Sequence, residues 1–136
     1  MGLFGFFKKK KKVEELPLEA KKWNKMWDMW VDGEIQSPYY ELMEYLNGVN
    51  NGGHACHFDN IMSNGDLGEY VKHLESVLPE PLKENVTKAY KAFMANPDDI
   101  SDENNEILDN CDKVYYGNEE LVNDILKAQA EKIELE

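Results

Sequence analysis

From Pro17 to Ile133 the large apolar residues return every third or fourth position, and no segment alternates apolar and polar residues with a sustained period of two. A spacing near 3.6 places side chains on one face of a helix, so the pattern predicts an all-α chain. Trp23, Trp27, Trp30 and Val31, with Met26 alongside, form the first stripe, read as core, opened by Pro17 and closed by Asp32-Gly33. Ser37-Pro38 starts a second helix that carries Tyr39, Leu42, Met43, Leu46 and Val49 on one face. The glycine pair Gly52-Gly53 then bends the chain into a short third helix with Phe58, Ile61 and Met62, ending near Asn64-Gly65.

Asp66 is an N-cap for a fourth helix in which Leu67, Tyr70, Val71, Leu74, Val77 and Leu78 repeat, and Pro79-Glu80-Pro81 breaks it. A fifth helix with Leu82, Val86, Tyr90, Phe93 and Met94 stops at Asn96-Pro97. A sixth, from about Ser101, carries Ile107, Leu108, Cys111, Val114 and Tyr115 and ends at Gly117; a seventh follows from Asn118 through Ile133. The expectation is a single compact all-α domain of about seven short helices. At 136 residues the chain has the size of one domain.

Charge divides this chain in two. Residues 1–12 hold five lysines and no acid, whereas residues 13–136 hold 27 acids against 10 lysines. An apolar and basic tail, 1–12, therefore precedes an acidic helical domain, 13–136. Arginine, the residue best suited to grip phosphate bidentately, is absent. The acidic body repels a phosphate backbone, which argues against direct nucleic-acid binding and favours a basic partner. In the tail, Leu3, Phe4, Phe6 and Phe7 stand beside Lys8 to Lys12, a pairing that fits weak peripheral contact with an anionic membrane through Gly2 to Lys12. The plainer reading is a basic tail that lies on the acidic body. Two widely separated cysteines, Cys56 and Cys111, suit reduced thiols and a cytoplasmic location.

Asn51, Gly52 and Gly53, followed by Phe58 and Asn60, then Gly65 and the helix pair from Asp66 to Phe93, resemble a bacterial family of small acidic helical domains of unknown function that includes a DNA-mimic protein. The resemblance covers residues 38–95. His54 and His57 stand where that family usually has aromatics, and Cys56 where it often has glutamine. The resemblance implies an all-helical fold and, for at least one member, carboxylates that imitate DNA phosphates and occupy a DNA-binding protein.

Carboxylates one helical turn apart lie about 5–6 Å from each other, a spacing that a reader of phosphate backbones can accept. Asp98, Asp99, Asp102, Glu103, Glu106 and Asp109 form the densest row, with Asp112, Glu119, Glu120 and Asp124 beyond it. The function expected is thus a non-enzymatic acidic binding protein, a candidate DNA mimic. An immunity protein that neutralises a cognate toxin would use the same kind of surface and is the alternative. A lesser alternative is metal binding by His54, Cys56 and His57, all zinc-ligand types; against it, Cys56 points away from the face that His54 and His57 share at i, i+3. No catalytic motif and no phosphate-cradling loop stands out, and no cofactor is expected.

Overall fold

The computed structural model describes residues 16–135, and its regular elements are all helices. They are α1 (Leu18–Val31), α2 (Tyr39–Asn64), α3 (Leu67–Val77), α4 (Leu82–Met94) and α5 (Asp102–Glu131). Among the described residues five helical spans stand where seven helices were expected, one span because it joins two helices across a kink and one because it is continuous. The second and third expected helices are the two halves of α2, which meet at the expected glycine bend, a kink where Gly53 leaves helical angles (φ 80°, ψ 177°). The sixth and seventh are one 30-residue helix, α5, which runs straight through Gly117. A glycine ends a helix by adopting left-handed angles, and Gly117 keeps helical ones, so it only lowers propensity by about 1 kcal/mol.

Two compact units divide the chain: Gln36–Asp124, and the segment up to Ile35 together with Ile125–Glu136. In the smaller unit the buried side chain of α1 is Met26, at 1% exposure, while Val31 is 75% exposed. The tryptophans of the expected core stripe are half-buried and stack edge to face, Trp23 on Trp27 at 6.2 Å and Trp27 on Trp30 at 5.5 Å between centroids. Lys22 Nζ donates to the Glu131 carbonyl at 2.8 Å and ties α1 to the end of α5.

In the larger unit α2, α3 and α4 pack on one another. Leu42, Met43 and Val49 from α2, Leu74 from α3 and Leu82 and Val86 from α4 are fully or almost fully buried. Burying one such side chain stabilises by about 1.5–3 kcal/mol. Asp66 accepts from the Glu69 amide at 3.1 Å and so caps α3 as its sequence position predicts. Ser101 does the same for α5 through the Asn104 amide, also at 3.1 Å. Ser37 instead donates to the Glu41 carboxylate at 2.8 Å, and α2 starts without a side-chain cap. Buried Asn85 of α4 donates to the Cys111 carbonyl at 2.9 Å, which locks α4 to α5.

Candidate functional site

Along α5 as far as Asp124 the buried positions are Leu108, Cys111, Tyr115 and Val122, and they define the side turned to the core. At 3.6 residues per turn, Asp102, Glu106, Asp109, Glu120 and Asp124 fall on the opposite side within an arc of about 60°. All five are exposed; Glu103 is also exposed but lies about 60° beyond the arc, and Glu119 is partly exposed on the flank that carries Asp112. At about 1.5 Å per residue, Asp102 to Asp124 spans about 33 Å, close to one turn of B-DNA, about 34–36 Å. Asp98 and Asp99 extend the row from the exposed turn before α5. Lys113 stands in the middle of the face beside Tyr116, which is 50% exposed, and the acids therefore form two clusters. Tyr116 is held in place, because its hydroxyl donates to the Val49 carbonyl at 3.0 Å.

Asp112 does not belong to that row. It lies on the flank of α5 turned to α2, where its Oδ1 accepts from the His54 backbone N–H at 2.8 Å and sits 2.6 Å from His54 Nδ1. The second half of α2 restarts at His54, and its first amides have no partner within the helix. The Asp112 carboxylate satisfies one of them and meets the positive end of the helix dipole, acting as an N-cap supplied from 58 residues away. Gly53 makes this approach possible. A Cβ there would lie 2.5 Å from Asp112 Oδ2, and its φ of 80° disfavours any side chain in any case.

The ring of His54 continues the chain of hydrogen bonds inward. An ionised carboxylate only accepts, so Nδ1 carries the proton and Nε2 faces the Tyr45 hydroxyl, 2.6 Å away, as acceptor. His54 and Tyr45 are both 0% exposed. Next to them His57 Nε2 lies 2.6 Å from the Tyr70 hydroxyl, which donates to the Glu41 carbonyl at 3.3 Å. The His57 ring lies against Gly48, where a Cβ would come within 1.9 Å of Nδ1. Burial, reinforced by neighbouring His54, lowers the His57 pKa to about 4, and burial raises the Tyr45 and Tyr70 hydroxyls well above their ordinary value.

This Asp–His–Tyr arrangement has the parts of a nucleophile relay, but its terminal hydroxyl is sealed in the core, out of reach of a substrate. It holds α5, the kink and the first half of α2 together. The three residues weighed as zinc ligands are apart in role: His54 and His57 bond inward to Asp112, Tyr45 and Tyr70, while Cys56 is exposed. Among the described residues no group of three His, Cys, Asp or Glu side chains is placed to hold a metal ion.

Of the motif residues, Gly53 and Phe58 are buried at the kink, and Asn51, Gly52 and Asn60 are exposed. Asn51 Nδ2 donates back to the Asn47 carbonyl at 2.8 Å within α2. Gly2 to Lys12 lie outside the described residues, and no described helix is long and apolar enough to cross a membrane. The Asp112–His54 pairing carries no signal in sequence, since no periodicity links residues on separate helices. No family model matches the chain, and no curated protein or solved structure matches it either.

Proposed function

We propose that this protein is a non-catalytic acidic binding protein whose ligand is a basic protein surface, one that otherwise contacts the backbone of nucleic acid. The observation that carries this reading is the row Asp102, Glu106, Asp109, Glu120 and Asp124, arrayed on the outward side of one continuous helix, with exposed Glu103 on its flank. Five carboxylates over about 33 Å is roughly one charge per 7 Å, against about 3.4 Å for a single DNA strand and 1.7 Å for the duplex. The row is thus the electrical counterpart of one phosphate strand at reduced density. Its length suits a partner that follows a backbone for about one turn. A rigid helix keeps the charges at fixed spacing, which favours recognition over simple attraction. Tyr116, pinned through Val49, supplies a flat aromatic face between the two clusters on which a lysine or arginine side chain can stack.

Capture from lysate of the source cell tests the reading, with wild type compared to the variant Asp102→Asn, Glu103→Gln, Glu106→Gln, Asp109→Asn. A DNA-binding protein retained by wild type, released by added duplex DNA and lost with the variant supports it. A single enzyme retained despite DNA would replace it with neutralisation of a cognate toxin, and equal capture by both proteins would refute the acid face as the binding surface.

A further inference from the structure

Lysine is scarce in the acidic body, yet Lys83, Lys88 and Lys91 all fall on one side of α4. They line a groove of about 680 Å³ between α4 and the first turns of α5, together with Glu80, Glu84, Asn104 and Ile107. Spacings of five and three residues set the lysines about 7.5 and 4.5 Å apart along the axis. The sequence offers Glu84 to Lys88 at i, i+4, the favoured orientation for a helical ion pair. Among the described residues, however, the ion pair between lysine and carboxylate is Lys72–Glu69, and these three ammonium groups stay outside any such pair. No side chain caps the N-terminus of α4, so the helix dipole adds positive potential at the Glu80 and Lys83 end.

The geometry points to a binding site for a small phosphate ester with a hydroxyl-bearing body, the class of sugar phosphates and nucleotides. A phosphate brings up to two charges and three acceptor oxygens to lysines that act as point charges. The glutamates accept hydrogen bonds from hydroxyls of the ligand body, which a bare inorganic anion lacks. Ile107 and Ala92 give the body an apolar floor, and the Asn104 amide offers both a donor and an acceptor. The volume lies within the range of about 300–1,000 Å³ that such ligands occupy. This site is distinct from the outward carboxylate row and does not depend on it.

Residue-resolved amide NMR of the full chain, titrated with adenosine 5′-monophosphate, inorganic phosphate and adenosine, tests the assignment. The expected result is saturable shifts with the nucleotide at residues 83–92 and 104–107, weaker binding of phosphate, and none of adenosine. The variant Lys83→Gln, Lys91→Gln changes only exposed positions and keeps the wild-type spectrum elsewhere, and it should weaken nucleotide binding on the order of tenfold. Shifts centred on Lys8 to Lys12, undiminished affinity in the variant, or no saturation at millimolar nucleotide would overturn the site. Phosphate binding as tight as the nucleotide would overturn the ligand class.

Discussion

Replacing Asp112 with alanine separates a structural carboxylate from those of the outward face. Its Oδ1 meets both the backbone N–H and the ring Nδ1 of His54, at 2.8 and 2.6 Å. Each hydrogen bond to a charged group contributes about 1.5–3 kcal/mol, and the alanine variant leaves two buried donors unmatched. The Asp112 side chain is 23% exposed, so water can reach part of the gap, and the sum falls toward the lower end, about 3 kcal/mol. With a urea slope of about 1.5 kcal/mol/M, the unfolding midpoint should drop by about 2 M. Asp109→Ala, one turn earlier and exposed, should stay within about 0.5 kcal/mol of wild type. Urea unfolding followed by far-UV circular dichroism measures both. Midpoints for the two variants that agree within error would refute the capping role and return Asp112 to the acidic surface.

Proton linkage gives His57 a second signature. Its folded pKa of about 4 lies below the ordinary 6.5, so between those values the unfolded chain binds more protons and stability falls as pH falls. The contribution is complete above about pH 6.5 and about 2 kcal/mol is gone by pH 5; the slope of urea midpoint against pH should flatten in His57→Phe, and parallel slopes would count against it. Gly53→Ala forces a side chain into left-handed angles and against Asp112, and a loss of about 3 kcal/mol or more is expected in the same urea assay. Gly117→Ala should raise stability by about 0.5–1 kcal/mol, because the residue is helical and a Cβ there meets nothing within 4 Å. Cys56 is exposed, whereas Cys111 is buried and its pKa raised by that burial; a thiol reagent should therefore modify the first rapidly and the second only on unfolding.

Much of the fold was legible because its signals are local. Asp66 as a cap, the prolines at 79 and 81 as a break and the heptad-like run from Leu67 to Leu74 each depend on neighbours within a turn or two. Gly52-Gly53 was legible as a bend, but not that Gly53 alone takes the unusual angles or that a distant carboxylate fills the space its missing Cβ leaves. Gly117 misled, since composition cannot tell a glycine that ends a helix from one that continues it. The exposed acids of α5 follow from helical period alone, while the inward turn of Asp112 required knowing which helix packs on its flank. Val31 fits the first stripe by spacing, yet it lies at the end of α1, where little packs over it. The lysines of α4 form a groove only because α5 begins beside them.

The central claim, that the outward carboxylates of α5 stand in for a phosphate strand, is tested most directly by competition. With the captured partner in hand, its affinity for this protein is measured against increasing duplex DNA and increasing salt. The account predicts mutual exclusion with DNA and an affinity that falls steeply with salt, both weakened by neutralising Asp102, Glu103, Glu106 and Asp109. Simultaneous binding of DNA and this protein, or an affinity indifferent to salt and to the neutralised face, would contradict it.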